Sequence, residues 1–319
     1  MKKVLCVAVV VLAIMLLTPL TSLRIEVKGK GDTIKQTDAK AQESMETVKL
    51  YDTKSGETQL LDMDEYIFGV VAAEMPALYE DEALKAQAVA AYTFTLFRKN
   101  ENKEKDYDIT CDYTVDQSYI SKTQAQEKWG EKADEYTKKI EKAVKEVSGL
   151  AITYDSLPIL AVYSASCCGK TQNAADVWGG EYPYLVSVES EWDKLSSDNV
   201  SKVTVSADEL KAKLSSLVEV SGDVSEWIKN ITKNKAGYVT CLEISGKEIS
   251  GNDIRTALDL KSTAFDVSLS ENTFTFTVSG YGHGVGMSQT GANGMAKESF
   301  DYKEILSHYY TDCKMEKID

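Results

Sequence analysis

The stretch Val70-Val71-Ala72-Ala73-Glu74-Met75-Pro76 puts one carboxylate at the end of an apolar run that a proline then stops. If this run ends a helix, Glu74 lies in the final turn, where unpaired carbonyls carry partial negative charge. That field and the apolar neighbours Val70, Val71, Ala73 and Met75 both disfavour the ionised form. A carboxyl with a raised pKa is what a general acid needs to stay protonated near neutral pH. On composition alone, the commoner setting for such a residue is a solvated glutamate at a helix end.

The second group is Ser279–Ala296, in which Gly280, Gly282, Gly284 and Gly286 surround His283 and Ser288 is placed to cap the next helix. Glycines there let backbone approach a ligand closely, and the loop presents one imidazole. A lone histidine is more often a packing or hydrogen-bonding residue than a catalyst. The loop is not a G-x-G-x-x-G turn after a strand, which argues against a dinucleotide site, and no G-x-S-x-G marks a hydrolase nucleophile. Trp178, Tyr182 and Tyr184 suit either a platform for sugar rings or a core with polar handles. Lys85 and Tyr92 lie seven apart on one helix face, and Lys85 by itself reads as a surface lysine.

The chain has six cysteines, Cys6, Cys111, Cys167, Cys168, Cys241 and Cys313, with no C-x-x-C pair and two histidines, His283 and His308. A Cys/His zinc site is therefore not expected, and no disulfide pairing is legible from the spacing. No cofactor is implied. The net charge of −14, without a basic stripe, argues against nucleic acid as a partner.

The elements that must position these residues follow from pattern. Residues 47–67 read as a hairpin turning at Lys54-Ser55-Gly56. Asp64 is the expected cap of a helix ended by Pro76, and a second helix runs from the acidic 80–82 segment to Lys99. One charged amphipathic helix is expected over 124–147, with Tyr136, Ile140, Val144 and Val147 as its stripe. A strand-rich segment follows Gly149, then a loop leading into a strand over 173–188 and two helices over 199–235. A strand over 237–246, a helix over 251–260, a hairpin over 265–280 and two closing helices complete the pattern. Strands and helices do not strictly alternate, so the fold class is mixed α/β of the α+β kind, not a doubly wound sheet.

At the N-terminus, Met1-Lys2-Lys3 precedes residues 4–20, seventeen positions without a charge. This is read as a single transmembrane helix, preferred to a cleaved signal because no small-x-small cleavage site follows cleanly. The expected organisation is a cytoplasmic tip and anchor over 1–22, a linker over 23–46 and one exported catalytic region over 47–319. The lysines put the region after residue 22 outside a cell membrane.

Taken together, "EYIFGVVAAEMP", "EALKAQAVAAYT", "YSASCCGKTQNAADVWGGEYPYL", "IRTALDLKSTAF", "GYGHGVGMSQTGANGMA" and "YKEILSHYY" resemble the stage II sporulation protein D family and its amidase-enhancer relatives. The resemblance runs in order from about residue 47 to residue 313. It implies a family-specific fold unlike lysozyme and a membrane-anchored lytic transglycosylase. Such an enzyme degrades septal peptidoglycan while the forespore is engulfed. By resemblance Glu74 is the catalytic acid, and Lys85, Tyr184, His283, Ser288, Gln289 and Tyr310 line the glycan groove. The implied partners are glycan strands stripped of stem peptides, the membrane, an amidase/endopeptidase and a polytopic membrane protein. A non-catalytic enhancer of a partner amidase is the alternative.

Two departures stand out. Tyr92 replaces a family arginine, and the segment after Cys111 lacks the His-Cys pair that binds zinc in some relatives.

Overall fold

Asp62 sets the start of the helix that carries Glu74. Its carboxylate accepts from the N–H groups of Asp64 and Glu65 at 2.9 and 3.2 Å in a computed structural model, which describes residues 47–195 and 199–318. Strands β1 (Thr47–Asp52) and β2 (Glu57–Asp62) form the expected antiparallel hairpin and run directly into helix α1 (Met63–Glu74). The cap falls two residues before Asp64 because β2 delivers Asp62 in extended geometry; Asp64 accepts from Ser148 Oγ instead. At the other end Met75 is extended (φ −121°, ψ 138°), the conformation a following proline favours, so the helix stops at Glu74.

Then come α2 (Asp81–Glu101), β3 (Ile109–Thr110), α3 (Lys122–Trp129), α4 (Ala133–Val147), β4 (Leu150–Tyr154), β5 (Leu157–Pro158), β6 (Tyr163–Ser164) and α5 (Ala174–Trp178). Next are β7 (Val200–Ser206), α6 (Ala207–Leu214), β8 (Ile228–Lys233), β9 (Val239–Ile244), β10 (Lys247–Ser250), α7 (Gly251–Leu258), β11 (Phe265–Ser270) and β12 (Thr273–Ser279). The described chain ends with β13 (Met287–Ser288), α8 (Gln289–Lys297), α9 (Tyr302–Tyr309) and β14 (Lys314–Lys317).

β13 pairs with β6 and β14 with β4, so residues 200–279 are an insertion into a lobe made by the chain on either side. The outer lobe is built on α2, whose buried Ala83, Ala86, Ala88, Ala90 and Ala91 let α1, α4, α8 and α9 close on it. Thr93 and Thr95 are buried in α2 because their hydroxyls donate to carbonyls one turn back, each at 2.7 Å. The inserted lobe has its own core, including Leu210, Leu242, Ile254, Phe265, Phe274 and Phe276, between the antiparallel sheets β11-β12-β7 and β10-β9-β8 and helices α6 and α7.

Several expectations change. The helix over 124–147 is two helices, broken at Gly130, whose φ of 54° no regular helix accommodates. Of two helices expected over 199–235, only α6 forms; the β-branched run Val203-Thr204-Val205 lies in a strand, and β8 covers Ile228–Lys233. The segment read as a loop into a strand contains α5, and no named strand follows it before residue 195.

The single-pass membrane assignment is also corrected. Among the described residues no helix is long and apolar enough to cross a membrane. The longest, α2, carries Asp81, Glu82, Lys85, Arg98, Lys99 and Glu101, charges a bilayer core would not accept. The span over 4–20 and the linker lie outside the described residues.

Candidate active site

Gly69 determines what faces Glu74. A Cβ there would sit 2.5 Å from the Ile120 carbonyl and against the Tyr119 ring, so only glycine lets the segment 117–120 lie on α1. The Ile120 N–H donates to the Gly69 carbonyl at 3.3 Å, and this brings the Ser118 N–H to Glu74 Oε1 at 2.6 Å. Burial raises the Glu74 pKa, and the hydrogen bonds from Ser118 pull it back only in part. The carboxyl lines a cleft of about 510 Å³, together with Asp116, Gln117, Ser118, Tyr163, Arg255, Tyr281, His283 and Gln289.

The floor is a hydrogen-bonded set of buried groups. The Tyr163 hydroxyl donates to Gln117 Oε1 at 2.8 Å, while Gln117 Nε2 donates to Tyr66 Oη at 3.1 Å and Thr95 Oγ1 at 2.9 Å. Burial, then the nearby Glu74 charge, holds the Tyr163 phenol well above its ordinary pKa, so it stays a neutral donor. Asp116 is the other carboxylate on the wall, and both its oxygens are committed. Oδ1 takes Arg98 Nε at 2.6 Å, and Oδ2 takes the Thr110 N–H and hydroxyl at 2.9 and 2.8 Å. Among the described residues no cation pairs with Glu74, whereas Arg98 pairs with Asp116.

His283 is held neutral. Its Nδ1 accepts from the Val285 N–H at 3.1 Å, its other nitrogen faces the Tyr163 carbonyl, and the ring packs on Trp178. Burial, with the Arg255 charge behind it, brings its pKa down to about 4. Bonded at Nδ1 and packed on Trp178, the ring braces the loop. The glycines around it serve the same packing. A Cβ on Gly282 would lie 2.7 Å from Ser164 Cβ, and one on Gly286 would strike the Val162 carbonyl. The close approaches are thus to the protein's own backbone and side chains.

The cleft brings together three of the sequence candidates, Glu74, His283 and Gln289, whose Nε2 donates to Gln87 Oε1 at 3.1 Å. Tyr310 lies one layer behind, its hydroxyl donating to the Val162 carbonyl of the cleft wall at 2.9 Å. Ser288 is buried, capping α8 through the Gly291 N–H and donating to Asp193 Oδ1 at 2.7 Å. Tyr184 accepts from the Leu160 N–H and packs against Tyr154 and Tyr182, away from the lining residues. Lys85 faces α4, paired with Glu146 at 2.6 Å and Glu82 at 2.8 Å; burial pulls its pKa down, but these partners together hold it above its ordinary value. Tyr92 sits near Asp64 at the start of α1. Ten residues of helix, about 15 Å, separate Asp64 from Glu74.

Sequence reasoning missed Ser118, Gln117, Tyr163 and Arg255. The first two lie in the segment after Cys111, which carries no helical or strand periodicity to point at Glu74. Arg255 is one of three arginines in an acidic chain, and that scarcity is the one sequence signal that marks it.

Comparison with known proteins gives a consistent result. The family model described as Stage II sporulation protein matches residues 51–154. A stage II sporulation protein D from Bacillus amyloliquefaciens is 36% identical over 298 residues, covering 92% of this chain and 83% of that protein. Its counterpart from Bacillus subtilis (strain 168) is 37% identical over 277 residues, covering 86% and 80%. An amidase enhancer from Bacillus subtilis (strain 168) is 26% identical over 293 residues, covering 76% of this chain but 39% of that longer protein.

Proposed function

Because this chain belongs to the stage II sporulation protein D family, a family of sporulation proteins, we propose that it is a peptidoglycan lytic transglycosylase with Glu74 as its single acid and base. The observation that carries this reading is the contrast on the cleft wall. Asp116 is ion-paired with Arg98 and fully bonded, whereas Glu74 is desolvated, bonded by Ser118 and, among the described residues, not paired with a cation.

Most glycosidases need two carboxyl groups, one to protonate the leaving oxygen and one to act as nucleophile or to activate water. A transglycosylase needs one. Protonated Glu74 donates to the oxygen of the β-1,4 bond between MurNAc and GlcNAc. The resulting carboxylate takes the proton of the MurNAc C6 hydroxyl, whose oxygen closes onto C1 as a 1,6-anhydro ring. The nucleophile belongs to the substrate, so no water has to be positioned. The neutral Tyr163 and Gln117 on the same cleft wall bring no competing charge; their hydrogens are committed within the network, so they present oxygen lone pairs as acceptors. The process served is degradation of septal peptidoglycan in forespore engulfment, on strands stripped of stem peptides and alongside an amidase/endopeptidase.

The test is to digest such strands with the wild-type chain and with Glu74→Ala and weigh the new ends. Ends one water lighter than reducing termini, made by wild type alone, are expected. No product from wild type, or equal product from both, refutes the reading. Similarity to the amidase enhancer favours one other role, stimulation of a partner amidase. In that case Glu74→Ala would leave the stimulation intact.

A further inference from the structure

Arg255 takes no part in the proton transfers above. It comes from α7 in the inserted lobe and lines the main cleft, opposite in origin to Glu74 in the outer lobe. It also lines a chamber of about 70 Å³ behind the cleft, next to His283. Its Nε donates to the Leu260 carbonyl at 3.2 Å, which fixes the guanidinium plane and leaves the Nη hydrogens uncommitted.

The two described arginines make opposite use of their charge. Arg98 is paired with Asp116 at 2.6 Å and Glu101 at 3.2 Å. Arg255 has no carboxylate within ion-pair distance among the described residues, although the chain carries 50 acidic against 36 basic side chains. The acid nearest in setting, Asp176 on the chamber wall, is exposed and accepts from Asn173 at 3.2 Å. Half-buried charges are ordinarily paired, so a cationic group left unpaired in a cleft is poised for an anion from outside. Lys261, over the Tyr281 ring at 5.5 Å, adds positive charge on the same rim.

We infer that Arg255 is a carboxylate-binding, specificity-determining residue that takes the free lactyl carboxylate of a muramyl unit whose stem peptide has been removed. The inference rests on the transglycosylase reading and names the substrate group that Arg255 reads. While a stem peptide is attached, that carboxyl is an amide and offers no charge. Once freed, it matches the planar guanidinium in a charge-assisted, forked pair. Glu74 from one lobe and Arg255 from the other then hold one sugar at two points, the leaving oxygen and the C3 substituent.

The experiment uses the full chain and three substrates: stripped glycan strands, the same strands with their carboxyls converted to methylamides, and strands that keep their stem peptides. Cleavage and binding are both measured for wild type, Arg255→Gln and Arg255→Lys, with melting temperatures to confirm folding. Wild type should prefer the free carboxylate about 10- to 100-fold. Arg255→Gln should bring the stripped strand down to the amidated level and barely affect the amidated one, with Arg255→Lys between. Equal treatment of stripped and amidated strands by wild type overturns the inference, as does an equal loss on both in a folded Arg255→Gln. A preference for stem-bearing strands that Arg255→Gln abolishes would assign the site to the stem's terminal carboxylate and also overturn it. If no strand is cleaved, the reaction reading fails, while the binding preference still decides the role of Arg255.

Discussion

Glu74 and Asp193 are both carboxyls whose pKa burial raises, and they do opposite things. Asp193 is sealed: it accepts from the Cys167 N–H at 3.0 Å, Ser190 Oγ at 2.6 Å and Ser288 Oγ at 2.7 Å, with Cys167 Sγ 3.2 Å away. Ser190 passes the connection on to Tyr309 at 2.7 Å, so this knot ties three distant parts of the outer lobe together. Glu74 is bonded by Ser118 and opens on the cleft. Desolvation alone therefore does not mark an acid catalyst. Desolvation with an open face and without a full set of donors does.

The largest effect should come from untying the knot. Asp193→Ala leaves three or more buried donors unpaired, and denaturant melts should show a loss of about 3 kcal/mol or more. Glu74→Gln should show the reverse signature. Turnover of glycan strands should fall about a thousandfold, while stability near neutral pH rises by about 1 kcal/mol. The sign follows from the raised pKa: the folded state holds the proton more tightly than the unfolded one, so ionising Glu74 costs stability as pH rises through its folded value. The gain in Glu74→Gln should accordingly vanish in acid, where wild type is protonated in both states. Equal melting curves at neutral pH would count against the desolvation of Glu74.

Intermediate changes sharpen the contrast. Gly69→Ala pushes the 117–120 segment off α1 and should cost about 2 kcal/mol, with a loss of turnover because Ser118 no longer meets Glu74. Ser118→Ala keeps the backbone bond but drops the hydroxyl that helps lower the Glu74 pKa, so the alkaline limb of the pH–rate profile should move to higher pH. Tyr92→Arg should change turnover least, since position 92 lies by Asp64 at the far end of α1.

The sequence carried much of this site, and its failures have local causes. The Glu74 setting was legible because Pro76 forces the helix to stop and the preceding residues are apolar. The structure assigns the raised pKa to burial. The glycine loop was recognisable, but its purpose was not. Close packing against Val162, Ser164, Cys167 and Tyr238 is a tertiary fact that local spacing does not encode. Ser118 reaches Glu74 across 44 positions of chain, and Gln117 and Tyr163 share its cleft from remote segments, beyond any periodic signal. The pattern of the inserted lobe suggests helix in part because its alternation is short and its strand residues are mixed with Lys and Ser.

The most direct measurement is digestion of stripped glycan strands in heavy-oxygen water by wild type and Glu74→Gln, with mass analysis of the new ends. A single acid and base with an intramolecular nucleophile predicts anhydro ends free of solvent oxygen from wild type, and almost none from Glu74→Gln. Heavy oxygen in the new ends, or undiminished product from Glu74→Gln, would contradict it.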